Sequence, residues 1–90
     1  MSTGTCERLI ALVSKQFKIH KRHLNSETHI NEDLGADQLD ILNLAIRIEE
    51  SFNIHIPNEK HIALEGRIQT LVELIEHRLV VQKRSNYSST

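Results

Sequence analysis

The chain has almost no aromatic surface to build with: aromatic residues are 3% of its 90, and tryptophan is absent. A core must therefore come from leucine, isoleucine and valine. A single cysteine, Cys6, excludes an internal disulfide, so folding needs no oxidising compartment. Three glycines are too few for a phosphate-cradling loop. No apolar run exceeds five residues, against the ~20 that a membrane span requires. Met1 to Thr5 are polar and lack a basic region followed by an apolar stretch, so no secretory signal is read there and a cytoplasmic protein is expected. Net charge is only -1 at pH 7, which argues against a basic chain whose main partner is nucleic acid.

What is present fits one small domain. The mass is 10.4 kDa, with 39% apolar and 26% charged residues, a globular balance with room for a single core. Charge is unevenly placed. Lys15 to Leu24 holds Lys15, Lys18, Lys21 and Arg22 with no acid, and His20 and His23 lie alongside. Glu32 to Glu50 holds Glu32, Asp33, Asp37, Asp40, Glu49 and Glu50 against Arg47 alone. Either stretch is a partner surface or simply solvated charge.

Hydrophobic spacing predicts three longer helices. Leu9, Leu12, Val13 and Phe17 form one stripe of a helix from Cys6 to Phe17, with Thr3 or Thr5 as its cap and Glu7 at its positive end. A long connection follows, from Lys18 to Ala36. Its isolated apolar residues Ile19, Leu24, Ile30 and Leu34 predict an ordered loop anchored to the core. Asp37 and Asp40 then open a second helix running to Phe52, whose apolar positions exceed one stripe. Pro57 favours an extended piece at Ile54 to Ile56. A brief helix from Asn58 to Leu64 ends at Gly66, and Thr70 with Glu73 reads as a capping box for the last helix. That helix fades near Gln82. The expected organisation is an all-α bundle over residues 1–82, three longer helices and one short one, with 83–90 a disordered polar tail.

Chemistry-bearing residues are sparse. His20 and His23 have H-x-x-H spacing, but no cysteine or carboxylate stands at ligand spacing, so no metal site is expected. Cys6 has no histidine nearby in sequence and reads as a half-buried structural thiol. No nucleophile elbow is present. The pairs Asp37/Asp40 and Glu49/Glu50 suit caps and solvent-facing charge better than acid–base work. The run from Lys18 to His23 lacks the interleaved aromatics of a nucleic-acid platform. These residues describe a protein that is not an enzyme.

Two segments carry a resemblance. Glu32-Asp33-Leu34-Gly35-Ala36-Asp37-Gln38-Leu39-Asp40 resembles the E-D-L-G-A-D-S-L-D motif of acyl carrier proteins, and Ile48 to Pro57 resembles their L-E-E-E-F-x-I-x-I-P segment. The likeness runs from Cys6 to Leu79 and implies the carrier bundle, with acyl groups riding on a phosphopantetheine arm. In that family the serine after G-A-D carries the arm. This chain has Gln38 there, and a carboxamide has no hydroxyl to form the phosphodiester. The nearest hydroxyls, Thr28 and Ser51, lie away from the helix start. So no cofactor is expected, although the family implies phosphopantetheine.

Other departures concern partners. The family's second helix is strongly acidic and meets basic patches on enzymes; here Asn43 replaces a usual acid and Arg47 adds a positive charge. Ile46 matches the family's apolar contact position. The resemblance also implies an interior cavity lined by Leu42, Ile46, Ile62 and Leu71, which a chain without an arm can pack shut. The expected function is therefore a non-catalytic, monomeric, carrier-like module. It binds a protein partner, such as an acyl-transfer or lipid-synthesis enzyme, through Asp37, Gln38, Asp40, Asn43, Ile46, Arg47 and Glu50. One alternative is a carrier of fatty-acid or related biosynthesis whose serine was replaced, by engineering or divergence. Another is a helical adaptor that binds anionic ligands through Lys15 to His23.

Overall fold

Apolar residues at helical spacing put Leu9 and Val13 on the buried face of the first helix, α1 (Ser2–Phe17), in the computed structural model, which describes residues 2–88, with side chains for 4–82. α2 spans Gln38–Phe52 and α3 spans Ile68–Ser88. Two 3-10 segments, Lys21–His23 and Asn58–Glu65, sit in the connections. Among the described residues the only strand-like feature is an antiparallel bridge between His29 and Arg67. The core gathers Leu9, Val13, Ile30, Leu44, Ile48, Ile56, Leu64, Ile68, Leu71 and Ile75. It is aliphatic, with Phe52 at its edge, as the composition requires.

α1 starts earlier than its apolar stripe. Thr5 lies inside the helix rather than capping it, and the first turn holds no acid, so Glu7 is not at the positive end. The side chain of Thr3 lies outside the described residues. A polar first turn adds nothing to an apolar pattern, yet extending an existing helix costs little. Lys18, at φ 58°, adopts the left-handed conformation that stops α1.

The long connection is ordered by the anchors that the sequence offered. Leu24 and Ile30 are buried, and Ile19 and Leu34 pack against the core. Its backbone is fixed at the far end as well. The Ile30 and Asn31 amides donate to the carbonyls of Gly66 and Glu65, at 2.9 and 3.1 Å. The same clamp caps α3. The Ile68 and Gln69 amides donate to the carbonyls of Thr28 and Ser26, each at 2.9 Å. The Thr70–Glu73 capping box therefore does not form: Thr70 is inside α3, and backbone acceptors from a distant loop satisfy the helix start. Gly66 ends the preceding 3-10 segment without a left-handed turn, at φ -84°.

α2 keeps its sequence-level cap. The Asp40 amide donates to Asp37 Oδ1 at 2.9 Å, and the Asp37 amide to Asp40 Oδ2 at 3.2 Å. Asp37→Ala is expected to cost about 1 kcal/mol, lowering Tm by roughly 4–8 °C in a domain of this size, as read by thermal circular dichroism. At the other end Asn53, at φ 55°, closes α2 in the left-handed conformation. Beyond it, Gln82 on α3 accepts from the His55 amide and donates to the Asn53 carbonyl, at 3.1 and 2.6 Å. The position where the apolar pattern fades is thus tied down, and α3 continues to Ser88. Of the expected tail, residues 89–90 and the side chains from Lys83 onward lie outside the described residues.

Candidate functional site

The connection delivers the chain to α2 through a tight sequence of local bonds. The His29 amide donates to Asp33 Oδ2 at 2.8 Å, and Asn31 Nδ2 donates to the Ala36 carbonyl at 3.1 Å. Gly35 turns at φ 66°, where a side chain would be strained. Ala36 is buried, and Gln38 emerges as the exposed first residue of α2.

At that tip Gln38 borders an open groove of about 740 Å³. Leu39, Ile41, Leu42, His61, Ile62 and Glu65 complete it. Leu39, Leu42 and Ile62 are 64%, 47% and 75% exposed, an apolar concentration at the surface. A phosphodiester needs a hydroxyl oxygen, which Gln38 does not supply. Ser51 lies near the opposite end of α2, ~20 Å along the helix axis. Thr28 is buried, with its hydroxyl oxygen accepting from the Asn25 amide at 3.0 Å. The residues at the tip do not fit an ester-linked arm.

The four positions expected to line one interior cavity do not converge. Leu71 is fully buried in the core, whereas Leu42 and Ile62 border the open groove and Ile46 lies elsewhere. The 3-10 segment buries only Leu64, so Ile62 is left facing outward.

Five of the seven residues expected to meet a partner share one surface depression. Asp40, Asn43, Ile46, Arg47 and Glu50 border one depression of about 500 Å³, together with Gln16 from α1. Gln16 Nε2 donates to the Asp40 carbonyl at 3.0 Å, and its Oε1 is buried without a protein partner. Asp37 and Gln38 stand apart from the strip, at the helix tip. The acids have structural work: Asp37 and Asp40 cap α2, and Glu49 Oε2 accepts from the Ile56 amide at 2.8 Å. His55 Nδ1 is 3.4 Å from the same carboxylate oxygen. Glu50 is exposed and makes no ion pair among the described residues.

Sequence reasoning missed a contribution from α1. Arg8, Ala11, Leu12 and Lys15 form one wall of a shallow groove of about 500 Å³, with Arg47, Glu50 and Ser51 opposite. Arg8 Nη2 donates to the Ser51 carbonyl at 2.6 Å, and its guanidinium lies 4.2 Å from the centroid of the Phe52 ring. The seven-residue spacing of Arg8 and Lys15 signals a shared helix face, but not which helix that face meets.

The remaining candidates stay apart from this surface. His20 Nδ1 accepts from the Arg22 amide at 3.2 Å, a local turn contact. Among the described residues no three His, Cys, Asp or Glu side chains gather as metal ligands. Cys6 is half-buried and packs against the core. No helix among the described residues is long and apolar enough to cross a membrane.

The family model described as a phosphopantetheine attachment site matches residues 7–77. The acyl carrier protein of Trieres chinensis is 31% identical over 77 residues, covering 86% of this chain and 91% of that protein. The acyl carrier protein of Wolinella succinogenes is 38% identical over 64 residues, covering 69% of this chain and 84% of that protein. The chain belongs to the acyl carrier protein family.

Proposed function

We propose that this protein is a non-catalytic member of the family that carries no phosphopantetheine at Gln38. It works in the cytosol as a monomer, by contact with a protein of a lipid-synthesis or specialised acylation system. The observation that carries this reading is the carboxamide residue at the exposed first position of α2, with no hydroxyl-bearing residue in the groove beside it among the described residues. Support for contact through α2 comes from the depression that groups Asp40, Asn43, Ile46, Arg47 and Glu50. Ile46 is 45% exposed there among polar neighbours, the arrangement of an apolar anchor with a polar rim.

The test is intact-mass spectrometry after incubation with coenzyme A and an active phosphopantetheinyl transferase. The expected spectrum shows the unmodified chain alone. A phosphopantetheine-sized increase mapped to any residue overturns the reading. The apolar groove beside Gln38 favours one other reading, a carrier whose attachment serine was replaced while its surroundings were kept.

A further inference from the structure

We infer that the groove between α1 and α2 receives an acidic, amphipathic helix of the protein partner, its carboxylates meeting Arg8, Lys15 and Arg47. This rests on the protein-contact reading above and adds the chemistry of the partner.

The net charge lining the groove is positive. Arg8, Lys15 and Arg47 border it, and none of the three pairs with a carboxylate among the described residues. Asp37, Asp40 and Glu49 do not border the groove and are engaged with backbone amides, at the start of α2 and at Ile56. Among the described residues Glu50 is the only acid lining the groove. Arg8 is held in place by the Ser51 carbonyl and the Phe52 ring. A positioned guanidinium loses less freedom on meeting a carboxylate than a mobile lysine does.

The apolar residues of the groove favour a helix over a planar anionic surface. Ala11 and Leu12 lie between the cations of α1 and give the groove an apolar component. A lipid headgroup layer offers no apolar side chains to Ala11 and Leu12. Arg8 and Lys15 are seven residues apart on α1, ~10 Å along the axis. Carboxylates seven apart on a partner helix repeat that spacing, with leucines between them to cover Ala11 and Leu12. Such a partner has the opposite charge to the basic patches implied by the family resemblance.

The test titrates the full-length, 15N-labelled protein with a helical peptide bearing glutamates seven residues apart around leucines. A lysine-for-glutamate counterpart and phosphatidylcholine/phosphatidylglycerol vesicles are the comparison arms. The acidic peptide is expected to shift the amides of Arg8, Ala11, Leu12, Lys15, Arg47 and Ser51. Its affinity should fall about tenfold at low salt in the double variant Lys15→Glu/Arg47→Glu, and added salt should erase that difference. Both side chains are exposed, and the variant's fold is checked by circular dichroism. The inference is overturned if neither peptide binds, if the basic peptide binds as well, or if shifts are confined to residues 18–24 or to Leu39 and Ile62. Vesicle binding that the double variant abolishes, without acidic-peptide binding, also overturns it and assigns the cations to lipid. A mass increase with peptide binding intact would defeat only the reading of Gln38, whereas an unmodified chain that ignores the acidic peptide would defeat only the groove.

Discussion

Gln38→Ser is expected to convert a chain that takes no phosphopantetheine into one that is modified, at least in part, by a phosphopantetheinyl transferase. The substitution restores a hydroxyl at the exposed first position of α2, where its oxygen, giving up its proton, can attack the pantetheine-side phosphorus of coenzyme A as the pyrophosphate bond breaks and adenosine 3′,5′-bisphosphate leaves. The surroundings needed for recognition are in place: Asp37 and Asp40 hold the helix start, and Leu39 is exposed beside it. A serine at this position disturbs no packing, because Gln38 is exposed. Intact mass before and after incubation reads the result. A variant that folds yet stays unmodified would place the divergence in transferase recognition as well, with Asn43, Arg47 and the basic connection the departures to revert next.

Truncating a residue in the connection should cost as much stability as truncating a core residue of a long helix. Ile30→Ala is expected to cost about 2–5 kcal/mol, a large share of the ~5–15 kcal/mol available to a small domain. Ile30 is completely buried, and its amide donates to the Gly66 carbonyl at 2.9 Å. Losing its side chain leaves a void under the segment that clamps the start of α3 and leads to Gln38. Urea unfolding should show a lower midpoint with a similar slope. Ile62→Ala is the control: its side chain is largely exposed, and a change within about 0.5 kcal/mol is expected. A cost below about 1 kcal/mol for Ile30→Ala would show that the clamp does not depend on this anchor.

How much of this was legible beforehand varies with the range of the interaction. The α2 cap was readable because Asp37 and Asp40 act across three residues, and both bonds form. The anchors of the connection were readable because isolated aliphatic residues in a polar stretch have one favourable destination. The Thr70–Glu73 capping box was the opposite case. Its local pattern was sound, but carbonyls of Ser26 and Thr28 reached the α3 amides first. No pattern within α3 announces acceptors supplied from forty residues away in the chain. Cavity positions carried over by resemblance failed for Ile62 because the 3-10 segment turns it outward, and its weak local periodicity gave no sign of orientation.

By itself the amino-acid order determined three amphipathic helices, an aliphatic core, an anchored first connection and a carboxamide at the head of α2, since each follows from residue chemistry or from contacts within a few positions. Tertiary structure alone decided that the connection caps α3, that Gln82 ties α3 to the segment after α2, and that Lys15 leaves the basic stretch to stand across a groove from Arg47. Helical periodicity says which residues share a face; only packing of the helices sets which face meets which neighbour, and therefore which charges confront a partner together.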